Sequence, residues 1–228
     1  VAMGTLVKDI VYDLGGGLKD GGTLKAIQIG GPSGGCLPAS LLHTPVDYDE
    51  LKKLGAIMGS GGMIVLDEED CIVDIARYFM SFTRDESCGK CTFCRIGTKR
   101  MLEILEDITR GQGTSRTLAQ LKELAHQVKQ NSLCGLGRAA PNPVLSAIAY
   151  FEDEFTAHIE GTCPAKKCKT LITYRITDKC IGCTKCAQRC TQDAIEMKPY
   201  LQHEIDQELC VKCDTCRRYC PAEAIIKE

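Results

Sequence analysis

The spacing of apolar positions changes character along the chain. Residues 1–66 are rich in glycine. Within them Leu24-Lys25-Ala26-Ile27-Gln28-Ile29 alternates with the period of a strand, and Gly15-Gly16-Gly17 and Gly21-Gly22 mark turns. The run Gly30-Gly31-Pro32-Ser33-Gly34-Gly35 fits no phosphate-binding spacing, and Pro32 removes a backbone donor, so it predicts a plain loop. From residue 70 to 160 the period becomes helical. One apolar stripe runs through Ile72, Ile75, Ala76, Phe79 and Met80, and a second through Met101, Leu102, Leu105 and Ile108. A third takes Leu118, Leu121, Leu124, Ala125 and Val128, and a fourth Val144, Ala147, Ile148, Phe151 and Phe155. Asn142-Pro143 predicts the start of the fourth helix, with Asn142 as its cap. Four amphipathic helices on short loops predict a bundle whose Met and Phe stripes are core.

Residues 161–178 read as a linker that ends in the strand-like Leu171–Ile176. From residue 179 the chain repeats itself. Asp178-Lys179-Cys180-Ile181-Gly182-Cys183 returns as Glu208-Leu209-Cys210-Val211-Lys212-Cys213, and Asp193-Ala194-Ile195 returns as Glu223-Ala224-Ile225. An internal duplication is therefore expected over 179–228.

Composition narrows the function. The 228 residues are 44% hydrophobic and 25% charged with a net charge of −2, so no basic face invites nucleic acid. No apolar run approaches the roughly 18 residues of a membrane span. Cysteine stands out at 16 positions. No signal-peptide pattern opens the sequence, and most of the cysteines sit in C-x2-C-x2-C clusters, a spacing that disulfides have no reason to follow. Metal binding is the expectation.

The duplicated half reads Cys180-x2-Cys183-x2-Cys186-x3-Cys190, then Cys210-x2-Cys213-x2-Cys216-x3-Cys220-Pro221. This is the two-cluster bacterial ferredoxin run, in which the fourth cysteine of each repeat ligates the other cluster. One [4Fe–4S] cluster is thus expected on Cys180, Cys183, Cys186 and Cys220, and another on Cys190, Cys210, Cys213 and Cys216. Thr191 replaces the proline of the usual pattern and removes no ligand. Upstream, Cys88-x2-Cys91-x2-Cys94 is joined by the remote Cys134. By spacing alone that set suits either a third cluster or zinc. Lys90 and Arg95 add positive charge beside it, which favours a reduced, more negative cluster.

The segment Glu86-Ser87-Cys88-Gly89-Lys90-Cys91-Thr92-Phe93-Cys94-Arg95-Ile96-Gly97-Thr98 resembles the iron–sulfur signature of the flavin-binding, NADH-oxidising subunit of respiratory complex I, a family shared with soluble hydrogenases and formate dehydrogenases. The resemblance extends to Gly30–Gly35, Gly59-Ser60-Gly61-Gly62 and Phe151-Glu152-Asp153-Glu154-Phe155. It implies an α+β multidomain chain. Residues 1–66 would be part of a β-grasp (SLBB-like) domain with its connector, and 67–160 a four-helix bundle holding one [4Fe–4S] cluster on Cys88, Cys91, Cys94 and Cys134. The appended ferredoxin-like domain at 179–228 looks like the beta subunit of NAD(P)-linked, often electron-bifurcating, [FeFe]-hydrogenases. The resemblance further implies that FMN and NAD(H) bind upstream of this sequence, which would begin inside the β-grasp domain. Its implied partners are an [FeFe]-hydrogenase catalytic subunit, a small [2Fe–2S] thioredoxin-like subunit and ferredoxin.

Four cysteines remain. Cys163 and Cys168, with His158 five residues before Cys163, have the spacing of a zinc site in the 161–178 linker, with a fourth ligand expected from Cys36, another histidine or a partner chain. Cys71 opens an apolar helix and reads as core packing, and Cys36 reads as structural. His43, His126 and His203 join no constellation. The expected function is an electron relay through three clusters in a reducing cytoplasm, with no acid, base or nucleophile in catalysis. Two alternatives stand beside it: the matching subunit of an NAD-dependent formate dehydrogenase, and a scaffold in which the clusters are folding staples.

Overall fold

The alternating run forms β1 (Leu24–Ile29) residue for residue, and β1 is the central strand of a three-stranded antiparallel sheet in the order β2-β1-β3. The computed structural model describes residues 1–228 except the side chain of Asp20. β2 (Gly35–Pro38) pairs Leu37 with Ile27, and β3 (Met63–Asp67) pairs Val65 with Ile27 from the other side. The glycine run between β1 and β2 is a tight turn, as the missing phosphate-binding spacing predicts. Val7 of the short helix α1 (Val7–Asp9), Val11 in the turn after it, Leu51 of α2 (Tyr48–Lys53) and Ala56 pack with Leu24, Ile27, Ile29 and Leu37 into the core of this region.

Four long helices follow: α3 (Ile72–Asp85), α4 (Thr92–Thr109), α5 (Ser115–Asn131) and α7 (Asn142–Ile159), with the short α6 (Gly135–Ala139) before the last. Their buried positions follow the apolar stripes, with Ile72, Ala76, Phe79 and Met80 inside on α3 and Met101, Leu102, Leu105 and Ile108 inside on α4. A capping box opens α5: Thr117 N–H donates to Thr114 Oγ1 at 3.2 Å and Thr114 N–H donates to Thr117 Oγ1 at 2.7 Å. α4 and α5 approach so closely that a Cβ on Gly97 would lie 2.3 Å from Val128 Cγ2, so only glycine fits there.

Asn142 does not cap α7. Pro141 holds the cap position, and Asn142, already helical, accepts from Lys129 Nζ at 2.8 Å and donates to the Ser33 carbonyl at 3.1 Å. It ties α7 to the β1–β2 turn instead. Ser146 Oγ accepts from Cys36 N–H at 2.9 Å and Tyr150 donates to Leu54 O at 3.1 Å, so α7 joins the sheet to the helices. Phe151 leaves helical geometry (φ −138°, ψ 39°), and the last two turns of α7 carry Glu154, Phe155 and His158 beyond that kink.

The chain forms two compact units, Val1–Cys168 and Lys169–Glu228. The stretch expected to be a linker is divided between them. Residues 161–168 belong to the first unit because Cys163 and Cys168 are buried in it. Residues 169–178 belong to the second because β4 (Tyr174–Ile176) pairs antiparallel with β5 (Ile225–Lys227), Ile176 opposite Ile225. Two one-turn helices complete the second unit, α8 (Lys185–Gln188) and α9 (Thr215–Arg218). The duplication is written in the backbone. Thr184 and Asp214 precede the two helices at φ 61° and 67°, and Asp193 and Glu223 match at 50° and 47°. Its core is small, built on Ile172, Tyr174, Ile176, Ile195, Ala224 and Ile225 with cysteines at its edge. Among the described residues, no helix is long and apolar enough to cross a membrane.

Candidate metal and cluster sites

At the first site, Cys91 is the N-cap of α4 and Cys94 lies in its first turn, where free N–H groups and the helix dipole favour a thiolate. The Leu133 and Cys94 N–H groups hold the Cys91 thiol below its ordinary value. Burial pushes Cys94 up, the Ser87 hydroxyl (Oγ to Sγ 3.3 Å) opposes this, and Cys91, Cys134 and Cys88 add to the rise by their proximity. Cys88, Cys91 and Cys134 are thus all in the neighbourhood of Cys94. Cys134, the N-cap of α6, reaches the site because Gly137 lets α6 close down. A Cβ there would meet Ser132 Cβ at 2.6 Å and Cys94 Cβ at 3.1 Å. Ser132 Oγ is buried beside Cys91, where its hydroxyl helps to hold that thiol down. Arg95 donates to the Gly89 carbonyl at 3.2 Å, so it braces the Cys88 loop as well as charging it. Cys88 and Cys134 remain exposed, which leaves one edge of the site open.

In the second unit, two small hollows are each ringed by four cysteines. One takes Cys180, Cys183, Cys186 and Cys220, and the other Cys190, Cys210, Cys213 and Cys216. Each therefore borrows its fourth sulfur from the other repeat. Apolar walls from Ile176, Ile181 and Ile225 line the first, and Ala194, Ile195 and Ile205 line the second. Burial pushes Cys216 up to about 11, with Cys210, Cys213 and Cys186 contributing, so the two sets are neighbours. Four thiols around an apolar hollow are the donor chemistry of a cubane cluster, and the residues fit it.

A closed site lies in the first unit. Cys71, His158, Cys163 and Cys168 are all buried, and their ligand atoms lie within 4.8 Å of one another. Cys71, expected to pack in the core, is buried there and also meets the other three ligand atoms. It stands at the N-cap of α3, where its sulfur accepts from Asp74 N–H at 3.4 Å. Cys36 lies in β2, outside this group, and burial pushes its thiol up to about 12. His158 Nδ1 lies 2.7 Å from the Glu154 carbonyl, which can only accept, so Nδ1 carries the proton there. Nε2 is thereby aimed at the sulfurs, 3.3 Å from both Cys71 Sγ and Cys168 Sγ. Hydrogen bonds from Cys168, Cys71 and His158 hold Cys163 far below the thiol range against its burial. Burial alone would depress His158, but its bonds to Cys163 and Cys71 prevail and raise it to about 10. Outside the ligands, Glu154 accepts from Ile72 N–H at 3.1 Å and pairs with Lys25 Nζ at 2.5 Å, fixing the ends of α3 and α7 that carry Cys71 and His158. Three thiols and one imidazole, closed from solvent, are the donor set of a structural zinc site.

Sequence spacing could not find Cys71, because it is remote from the other three and follows an acidic turn with no metal motif. His43 and His126 are exposed, whereas His203 is buried against Cys180.

Comparisons with known proteins agree with this layout. Residues 74–158 match the NADH-ubiquinone oxidoreductase-F iron-sulfur binding region, and residues 175–227 match the 4Fe-4S dicluster domain. Over its whole length the chain is 46% identical to the NADP-reducing hydrogenase subunit HndC of Solidesulfovibrio fructosivorans, of which it spans 47%. It is 36% identical over 71% of its length to the F 2 subunit of the NADH-quinone oxidoreductase of Rhizobium meliloti, of which it spans 39%. The crystal structure of an NAD+-reducing [NiFe]-hydrogenase superposes with a TM-score of 0.61 at 33% identity, covering 68% of this chain and 26% of that one. The chain thus spans about half, or less, of the length of these relatives. Of the closed site only His158 falls inside a matched region; Cys71 precedes it, and Cys163 and Cys168 lie between the two. Residues similar to the NADH-ubiquinone oxidoreductase-F iron-sulfur binding region are thus followed in this chain by residues similar to the 4Fe-4S dicluster domain, and the whole chain aligns with about half of an NADP-reducing hydrogenase subunit.

Proposed function

We propose that this chain relays electrons through three [4Fe–4S] clusters in the flavin-bearing subunit of an NAD(P)-linked hydrogenase complex. The ligand sets are Cys88, Cys91, Cys94 and Cys134; Cys180, Cys183, Cys186 and Cys220; and Cys190, Cys210, Cys213 and Cys216. The observation that carries this is the pair of adjacent hollows, each ringed by four sulfurs with the fourth exchanged between repeats. The whole-length similarity to a hydrogenase subunit supports the hydrogenase over complex I, whose relative aligns over only 163 residues.

A bound cubane supplies a one-electron carrier. The chain's own residues supply the thiolates, shield two sites with apolar walls, and leave the Cys88–Cys134 edge open towards a donor or acceptor. Residues 1–66 are proposed as part of a β-grasp (SLBB-like) domain and 67–160 as a four-helix bundle. Zinc is proposed at Cys71, His158, Cys163 and Cys168, as a structural ion that carries no electrons. FMN and NAD(H) would bind outside these residues. An [FeFe]-hydrogenase catalytic subunit, a [2Fe–2S] thioredoxin-like subunit and ferredoxin are the proposed partners, electron bifurcation the proposed setting, and a reducing cytoplasm the proposed compartment. The small core of the second unit favours a second role for its clusters, as folding staples.

An EPR-monitored redox titration of the anaerobic protein tests the relay. Three reducible [4Fe–4S] signals are expected at potentials accessible to NAD(P)H or ferredoxin. Clusters that stay oxidised across that range would leave only the staple role. The catalytic subunit that co-purifies separates a hydrogenase from a formate dehydrogenase.

A further inference from the structure

The two cysteine-ringed hollows of the second unit are built by one duplicated pattern, yet their polar surroundings differ. Each takes an isoleucine from the segment leading into its own repeat, Ile176 in one and Ile205 in the other. Each also takes one larger polar residue from the other repeat's lead-in, two positions before that isoleucine: His203 in the first and Tyr174 in the second. Tyr174 donates its hydroxyl to Asp214 Oδ1 at 2.8 Å. His203, 1% exposed, keeps both ring nitrogens occupied inside the unit. Lys198 N–H can only donate, and it lies 3.3 Å from Nε2, so Nε2 is the acceptor and Nδ1 carries the hydrogen. Nδ1 lies 3.7 Å from Cys180 Sγ. The segment is pinned on both sides of His203, by Gln202 donating to the Ile176 carbonyl at 2.9 Å and Asp206 N–H donating to Ala194 O at 2.8 Å.

We infer that His203 donates an N–H···S hydrogen bond to Cys180 and thereby raises the reduction potential of the Cys180–Cys183–Cys186–Cys220 cluster. This rests on the cluster assignment proposed above. Reduction adds negative charge to the thiolate-bound cluster, and a fixed donor at a ligand sulfur stabilises the more negative state. The twin has Tyr174 at the matching place, its hydroxyl bound to Asp214, and its own side-chain hydroxyl at a ligand sulfur is that of Thr215, 3.3 Å from Cys213 Sγ. His203 acts through Cys180, so it is a positioning and tuning residue.

The test compares the full-length protein with His203→Phe and His203→Gln, each measured for iron content, redox titration and pulsed EPR after 15N-histidine labelling. His203→Phe should keep its iron and shift one cluster by about tenfold in the oxidised-to-reduced ratio at a fixed poise, towards the oxidised form, or ~59 mV lower for a one-electron couple. His203→Gln, which retains an N–H donor, should recover part of the shift. The wild type should show a weak 15N coupling at a reduced cluster that both variants lose. Full iron with unchanged potentials, or a wild type without that coupling, overturns the inference and leaves the cluster assignment standing. If His203→Phe loses iron, the wild-type coupling and the His203→Gln potential decide. A wild type without four-iron clusters overturns both.

Discussion

Two cysteine sites in the first unit invite comparison, because they share an element type and differ in nearly everything else. At the closed site, four ligands from the start of α3, the end of α7 and the turn beyond are all buried, and a carboxylate–lysine pair fixes the helix ends behind them. At the Cys88 site, two of four sulfurs are exposed and the loop is held by a backbone brace from Arg95. Burial sorts the work. An ion with no access to solvent or partner can hold chain segments together, while a centre with an open edge can exchange electrons. The closed site ties α3, α7 and residues 161–168 into one body, and the open site sits on the end of a helix already held by its own core.

Replacing a ligand at each site is the strongest way to break that contrast. Cys71→Ala should abolish zinc binding and lower stability by about 3 kcal/mol or more, ~6–12 °C in Tm for a chain of this size, read by metal analysis and thermal unfolding. Cys88→Ser should remove about four iron and cost less than half as much stability. Equal losses in the two variants would mean that both sites are structural. Gly137→Ala comes next. Its Cβ would crowd Ser132 and Cys94, so the Cys134 loop should lift, with about 1–3 kcal/mol lost and reduced cluster occupancy while zinc stays bound. Glu154→Gln should weaken zinc affinity about 10-fold, measured by chelator competition, and leave the iron count unchanged. The smallest effect is expected from Ser87→Ala, which removes the hydroxyl beside Cys94 Sγ. Titration should find that cluster's potential slightly lower, by less than about tenfold in the redox ratio.

The same contrast explains what could be read from the chain. A tight C-x2-C-x2-C loop is local, so Cys88, Cys91 and Cys94 declare themselves, and so do the duplicated runs after residue 179. The helical stripes are equally local, and Met101, Leu102, Leu105 and Ile108 are all buried. Cys71 escapes a reading of spacing because its partners lie 87 or more residues away in sequence, and a cysteine opening an apolar helix is usually packing. His203 escapes it for a related reason: its sulfur partner belongs to the preceding loop, and only the folded lead-in segment brings them together. Asn142 has the chemistry of a cap, but the tertiary bonds to Lys129 and Ser33 claim its side chain. The 161–178 stretch resembles a linker because its strand is three residues long and finds its partner, β5, at the far end of the unit.

The central claim is that twelve cysteines hold iron and one closed set holds zinc. Iron, acid-labile sulfide and zinc per chain, measured on anaerobically purified protein, test it directly. About twelve iron and twelve sulfide with about one zinc are predicted, from three four-iron clusters and one closed site. About eight iron, with the Cys88 site empty or carrying a second zinc, would contradict the account and break the relay at its first centre.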